Sequence, residues 1–190
     1  MLGKFALSIV FALGLTLLGS APVIAKESKE AQRAQVRKTS QKVLNQLYKI
    51  SPASKAVVAS AAGYAVFSNF GMKILFAGGG SGSGIAVNNA TKKEVFMKMV
   101  EVQAGLGFGV KKFRVVFVFE KEAALNAFIN SGWELGGQAT AAASYDNKGS
   151  AYQGAATVMP GVWMYQMTDQ GLAAEITGKG TKYYKNDELN

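Results

Sequence analysis

The segment 78–84, which reads GGGSGSG, constrains the fold more than any other part of the sequence. None of its residues carries a side chain larger than serine, and apolar runs stand on both sides of it. Glycines at positions 80, 82 and 84 alternate, so in a β-strand they would all lie on one face of the sheet. A strand with such a bare face lets another element pack very close, or lets the sheet bend sharply. We therefore interpret the run as structural, and the alternative is a groove that faces a ligand.

The same run lacks the spacing of the glycine-rich motifs that bind nucleotides or carry a nucleophile. A dinucleotide fingerprint, G-x-G-x-x-G, would need glycine where the chain has Ser83 or Val87. A nucleophile elbow, G-x-S-x-G, would need glycine two residues after its serine. Ser83 stands in that place after Ser81, and Ile85 stands there after Ser83. The run therefore predicts neither a Rossmann site nor a serine hydrolase.

The chain contains no histidine and no cysteine. Without cysteine there can be no disulfide, no thiol nucleophile and no thiolate metal site. Without histidine the chain lacks the commonest general base near neutral pH and the commonest zinc and copper ligand. A Ser-His-acid triad is excluded for the same reason. A protein without these residues can still be an enzyme, but most hydrolase and transition-metal sites are excluded. We expect a protein that is not an enzyme and that uses no metal and no other cofactor.

The first 25 residues have the pattern of a secretory signal peptide. Lys4 supplies a positive charge, and residues 5–18 are almost entirely apolar. The sequence Val23-Ile24-Ala25 gives a small residue at each of the two positions that a signal peptidase reads. The apolar stretch is shorter than the about 20 residues that a membrane-spanning helix needs. We expect cleavage after residue 25 and an exported protein, periplasmic or secreted, rather than one with an N-terminal membrane anchor.

Residues 26–50 predict a basic amphipathic helix. Proline and glycine are absent, and Val43, Leu47 and Tyr48 recur at helical spacing in its second half. Only Glu27 and Glu30 are acidic, so this segment holds much of the formal charge of +9. In an exported protein such charge favours the anionic surface of a phospholipid membrane over nucleic acid. The cations are Lys26, Lys29, Arg33, Arg37, Lys38, Lys42 and Lys49.

Residues 51–190 predict a mostly antiparallel sheet with one inserted helix, which together with 26–50 makes one globular α+β domain. Ser51 is expected to cap a short second helix over 53–62, and Gly63 to end it. The inserted helix is expected at 121–132, with Gly132 as its stop. Strands are expected at 64–70, 72–77, 84–87, 95–102, 113–120, 133–145, 155–159, 162–167, 172–176 and 181–184.

Four segments in this order resemble the SYLF-domain family. They read KAVVASAAGYAVFSNF, GGGSGSGIAV, FRVVFVFEKEAALNAFINSGWELGGQA and VWMYQMTDQGLAAEITGKGTKYY. The resemblance implies a phospholipid-binding module whose N-terminal helix engages membranes, here residues 26–50. Some eukaryotic members bind actin, and we do not expect that partner for an exported protein. Ser81 and Ser83 stand where the family's glycine-rich strand usually carries an aromatic residue.

The basic residues of two segments are the candidate lipid-binding site. We expect the charged first half of the 26–50 helix, rather than its apolar second half, to face the lipid. A second basic and aromatic cluster lies beside Phe108 and Phe113. The candidates are Lys29, Arg33, Arg37, Lys38, Lys42, Lys111, Lys112 and Arg114.

Two other functions are compatible with the sequence. An exported chain rich in glycine and aromatic residues could form an outer-membrane β-barrel, although the helical segments and the non-alternating VVFVF run argue against it. The scattered carboxylates, among them Glu94, Glu120 and Glu134, could include the facing pair that a carboxylate-based hydrolase needs.

Overall fold

The computed structural model describes residues 27–74, 77–104, 109–135, 152–169, 171–172 and 180–190. The predicted signal peptide lies outside these residues. The helices are α1 (Lys29–Ile50), α2 (Ser54–Ser60) and α3 (Glu122–Ser131). The strands are β1 (Gly63–Ile74), β2 (Ala77–Asn88), β3 (Glu94–Ala104), β4 (Gly109–Phe119), β5 (Trp133–Leu135), β6 (Ala156–Met159), β7 (Val162–Thr168), β8 (Gly171–Leu172) and β9 (Gly180–Lys185).

The strands of the described residues form a single sheet in the order β5-β9-β3-β2-β1-β4-β7-β6, and β8 pairs with β7. Every pairing between these strands is antiparallel. The helices α1 and α2 precede the sheet, and α3 is inserted between β4 and β5. The predicted α+β class is therefore confirmed. No helix within the described ranges combines the length and the apolar character needed to cross a membrane.

Three local predictions were wrong. The glycine run lies inside β2 rather than between two strands, and 63–74 is one continuous strand. Ser51 ends α1 instead of capping α2, because its backbone N–H donates to the carbonyl of Leu47 at 2.7 Å. Gly63 begins β1 instead of ending α2, and Ala61 is the C-cap of that helix. Gly132 does end α3, with a left-handed φ of 67°, as predicted.

An aromatic core fills one face of the sheet beneath α3. The ring of Tyr183 on β9 lies 4.8 Å from that of Phe67 on β1 and 5.1 Å from that of Phe117 on β4, centroid to centroid. The ring of Phe128 on α3 lies 5.0 Å from that of Trp133. The aromatic core consists of Phe67, Phe117, Phe119, Phe128, Trp133 and Tyr183.

The contacts of Tyr183 show that the sheet curls. The strand order puts β9 four positions away from β4, which in a flat sheet would be about 19 Å. The rings of Tyr183 and Phe117 are nevertheless in edge-to-face contact. The sheet is therefore concave toward α3, and its opposite face is convex.

The convex face carries α1. Val43, Leu44 and Leu47 of this helix pack against Val66 and Tyr165 of the sheet. Burial raises the pKa of the Tyr165 hydroxyl to about 12, so this side chain is neutral at physiological pH. A smaller cluster at the other end of α1 joins Val36 to Ile85, Phe96 and Leu189. The apolar second half of α1 is thus buried against the sheet, as predicted.

Gly84 allows the closest approach within the aromatic core. A Cβ atom at this position would overlap the ring of Phe67 and the carbonyl oxygen of Val66. Phe67 is fully buried and is the direct cross-strand partner of Gly84, so its ring has no free space to move into. Only glycine leaves room at position 84 for the Phe67 ring to lie across β2.

We expect Gly84→Ala to lower the free energy of unfolding by about 1–3 kcal/mol, because overpacking forces the core apart. Gly79→Ala in the same strand is the matched control, since its Cβ would lie at an ordinary 3.4 Å from the carbonyl oxygen of Glu101. Urea unfolding followed by tryptophan fluorescence measures both. Equal stability of the two variants would contradict the close packing at Gly84.

Candidate functional site

A groove with a volume of about 850 Å³ lies between α1 and the convex face of the sheet. We call it the α1 groove. Polar residues Gln35, Thr39, Lys42 and Gln46 form its helical wall. They are four, three and four residues apart, so they lie on one side of the helix. The remaining lining residues are Val36, Val43, Ser68, Ser81, Gly82, Ser83, Lys98, Met99, Val100, Arg114 and Tyr184.

The sheet wall of the α1 groove is one row of residues that are direct cross-strand partners. Ser83 of β2 pairs with Ser68 of β1 on one side and with Lys98 of β3 on the other. Ser68 also pairs with Arg114 of β4, and Lys98 pairs with Tyr184 of β9. The register therefore brings two cations, two serine hydroxyls and a tyrosine into one line across five strands.

The two faces of β2 have different surroundings, the α1 groove on one side and the aromatic core on the other. Ser81 and Ser83 are exposed and face the α1 groove, whereas Gly84 is buried against Phe67 on the concave face. Alternation in a strand sends neighbouring residues to opposite faces of the sheet. The structural interpretation of the glycine run therefore holds for the concave face. The same run lines a groove on the convex face, and whether that groove binds a ligand stays a prediction.

Arg114 is the most enclosed cation of the groove. Its side chain is 22% exposed, and its Nη2 donates to Oδ1 of Asp169 at 2.9 Å. The Nη1 atom is buried, and no protein atom within the described residues accepts a hydrogen bond from it. A buried guanidinium N–H without a partner is costly, so Arg114 has unused hydrogen-bonding capacity at the wall of the groove.

Lys98 and Lys42 supply positive charge from opposite walls. Lys98 Nζ lies 3.0 Å from Oε2 of Glu188, whose side chain is 75% exposed. Lys42 is exposed on α1 and has no ion pair within the described ranges. None of the described residues that line the groove is acidic. The groove therefore favours an anionic ligand over a cationic one.

Besides Arg114, two predicted lipid-binding residues on α1 are held by other parts of the protein. Arg33 Nε donates to the carbonyl oxygen of Leu189 at 2.8 Å. Arg37 Nε donates to Oε2 of Glu94 at 2.7 Å, and its guanidinium lies over the ring of Phe96. The hydrogen bond with Glu94 raises the pKa of Arg37 above its ordinary value. These arginines attach the first half of α1 to β3 and to the C-terminal residues.

The other predicted residues are distributed over three places. Lys29, Lys38 and Lys42 are exposed on α1, and Lys42 also lines the groove. Arg114 lies in the groove. Phe113 is buried, and strand alternation places it on the opposite face of the sheet, with Val115 of the aromatic core cluster. Lys111 and Lys112 belong to β4, but their side chains lie outside what the structure describes, as does Phe108.

Several groove residues were not identified from the sequence. The spacing of Gln35, Thr39 and Gln46 indicates a polar helical side, and that signal could have revealed one wall. Lys98 and Tyr184 carry no local signal, because only the pairing of β3 with β2 and β9 brings them to the groove. In the part of the chain that the structure describes, no cluster of three or more acidic residues could hold a metal ion.

Comparison with known proteins gives two matches. Residues 100–190 match the family model Ysc84, described as "Las17-binding protein actin regulator". The chain is also similar to Beta cell expansion factor A of Aeromonas veronii, with 30% identity over 166 residues. That alignment covers 86% of this chain and 60% of the relative, so the chain spans about three fifths of the relative's length. The resemblance to the SYLF-domain family inferred from the sequence is confirmed.

We expect Arg37→Gln to lower the free energy of unfolding by about 1 kcal/mol, through loss of the ion pair with Glu94 and the contact with Phe96. Lys38→Gln removes the same charge from the adjacent position, where no such contact exists in the described residues, and should change stability by less than about 0.5 kcal/mol. Urea unfolding compares the two. If Lys38→Gln costs as much as Arg37→Gln, Arg37 has no special structural role.

Proposed function

Because residues 100–190 match the Ysc84 (SYLF) family model, a family of binding domains, we propose that this protein is a non-enzymatic module that binds the anionic surface of phospholipid membranes. The family supports a lipid-binding or actin-regulator type of domain. The choice of a membrane as the partner rests on the charges of α1 and on the predicted export of the chain.

The exposed lysines of α1 carry this proposal. Lys38, Lys42 and Lys49 are four and seven residues apart, so they lie on one side of the helix, away from the buried Val43 and Leu47. The helix has no acidic residue after Glu30. Val36, Val43, Leu44 and Leu47 are buried against the sheet, and Ile50 at the end of α1 is exposed. The side of α1 that carries these lysines therefore offers positive charge rather than an extended apolar surface that could insert into lipid.

This arrangement supports the lysines, rather than the arginines, as the cations of α1 that face a membrane. Arg33 and Arg37 are bound to Leu189 and Glu94, so they contribute less to a membrane contact than the lysines do. A basic side chain near an anionic surface contributes about 1 kcal/mol, and three lysines therefore give about two orders of magnitude in affinity at low salt. Screening within about 10 Å at 0.1 M salt weakens this attraction.

An actin-related partner is the second possibility raised by the family description, which names a Las17-binding actin regulator. We favour the membrane because residues 1–25 have the pattern of a signal peptide. An exported chain would meet phospholipid headgroups, and it would meet neither actin nor nucleic acid. Peripheral association with a membrane outside the cytoplasm is the localisation that we propose.

Export makes a separate prediction. Full-length protein expressed in a bacterium should appear in the periplasmic or culture fraction with Lys26 as its first residue, as measured by intact mass. Ala25→Arg should block cleavage, because the residue before the cleavage point must be small. Lys26→Gln, on the other side of that point, is the control and should still be cleaved. Cytoplasmic protein that retains residues 1–25 would contradict export.

Vesicle co-sedimentation tests the membrane proposal. We expect binding to vesicles that contain phosphatidylglycerol, little binding to pure phosphatidylcholine, and loss of binding at 0.5 M salt. Lys38→Gln/Lys49→Gln should weaken binding at low salt roughly thirtyfold, since it removes about 2 kcal/mol of attraction. This pair leaves the α1 groove unchanged, because neither residue lines it.

The matched control is Lys121→Gln/Lys185→Gln, which removes the same charge from exposed positions at the start of α3 and the end of β9. It should bind nearly as well as the unmodified protein. Equal weakening of both pairs would show that net charge, rather than α1, attracts the protein. Absence of binding to any vesicle would refute the membrane proposal.

A further inference from the structure

We infer that the α1 groove binds the phosphate group of a single hydroxylated headgroup, with the guanidinium of Arg114 as its anchor. This inference rests on the proposed membrane function and deepens it, because it assigns a specific pocket and a ligand class to a protein otherwise attracted by surface charge.

Arg114 provides the strongest reason for a phosphate at this position. Its Nη2 is occupied by Asp169, while Nη1 is buried and has no acceptor among the described residues. Phosphate oxygens accept hydrogen bonds from guanidinium groups in a geometry that suits arginine better than lysine. Because Nη1 is buried, an anion reaches it only if the guanidinium turns, and displacement of the exposed Asp169 from Nη2 would permit that turn.

Further donors lie beside Arg114 in the cross-strand row. Ser68 is its direct partner on β1, Ser83 follows on β2, and Lys98 follows on β3. Hydroxyl groups can donate to phosphate oxygens, and Lys98 adds a positive charge. Lys42 approaches from α1 on the opposite wall. Donors from the helix and from the sheet thus line the same groove.

The exposed carboxylates beside the groove do not prevent an anion from entering. Asp169 and Glu188 are 70% and 75% exposed, respectively. Ion pairs with solvent-exposed groups contribute little to stability, so these side chains can yield their positions to a phosphate at small cost. Arg114 and Lys98, which are 22% and 35% exposed, remain fixed on their strands.

The other lining residues indicate which chemical group is attached to the phosphate. Gln35, Thr39 and Gln46 offer amide and hydroxyl groups that can bond to hydroxyls of a ligand. No described lining residue is acidic, and the carboxylates beside the groove, Asp169 and Glu188, are ion-paired with Arg114 and Lys98, so the lining itself offers no partner to the ammonium of a choline or ethanolamine headgroup. Val100 is exposed and lines the groove, so it offers apolar surface to the acyl chains of a lipid whose headgroup is bound there. A phosphoglycerol group fits this lining better than a zwitterionic headgroup.

The test uses soluble probes, so that the pocket is measured apart from surface attraction. Isothermal titration compares dihexanoyl phosphatidylglycerol below its micelle concentration, glycerol 3-phosphate, inorganic phosphate and dihexanoyl phosphatidylcholine. We expect phosphatidylglycerol to bind and phosphatidylcholine to bind at least tenfold more weakly. Arg114→Gln should weaken binding of phosphatidylglycerol at least tenfold, whereas the exposed Lys121→Gln should leave it unchanged.

A second variant guards against misfolding of the first. Ser83→Leu fills the groove without changing charge, and Ser83 is exposed, so the sheet can accommodate the larger side chain. It should weaken binding of phosphatidylglycerol as strongly as Arg114→Gln does. Circular dichroism and urea unfolding establish that both variants are folded.

The outcomes separate this inference from the proposed function. If vesicles bind but no soluble probe does, and Arg114→Gln behaves like Lys121→Gln, the groove site is refuted while surface binding stands. If glycerol 3-phosphate or inorganic phosphate binds as tightly as the soluble lipid, the site is supported and its ligand is a free phosphate. If the soluble probes bind and vesicles do not, the site is supported and the membrane function is refuted. If nothing binds, both are refuted.

Discussion

The packing of the Phe67 ring across Gly84 is the contact on which the rest of the architecture depends. Because position 84 has no side chain, the ring can lie over β2 and meet Phe128 of α3 and Tyr183 of β9. These contacts curl the sheet around α3. The opposite face is consequently convex, and a straight helix on a convex surface touches it along a narrow strip. The space that remains beside α1 is the α1 groove. The curvature of the sheet therefore accounts for both the aromatic core and the candidate site.

The cations of α1 have two different roles: the arginines hold the helix to the rest of the domain, and the lysines face the solvent. Arg33 and Arg37 lie on the side of the helix toward β3, where a carbonyl and a carboxylate accept their hydrogen bonds. Lys38 and Lys49 lie on the side away from the sheet. Arginine suits the first task because its planar, multidentate donor group bonds at fixed angles, and lysine suits the second because its charge stays hydrated. The count of cations in a basic helix therefore overstates the charge that a partner meets.

The α1 groove joins two parts of the chain that the comparisons cover differently. The family model begins at residue 100, within β3, so Arg114 and Tyr184 lie inside the matched region. The helical wall and the serines of β2 lie before it. A surface attraction through α1 and a specific pocket beneath it would act together, since the first brings the protein to an anionic surface and the second selects the headgroup.

Local patterns in the sequence determined the α+β class, the positions of α1 and α3, the stop at Gly132 and the burial of Val43 and Leu47, because helical and strand periodicities depend on neighbouring residues. They also excluded histidine and cysteine chemistry. The tertiary structure alone decided that β2 runs through the glycines, that Glu94 holds Arg37, and that Arg114 shares a cross-strand row with Ser83 and Lys98. Those contacts follow from strand register and sheet curvature, which are fixed by packing between residues far apart in the chain, and no local period encodes them.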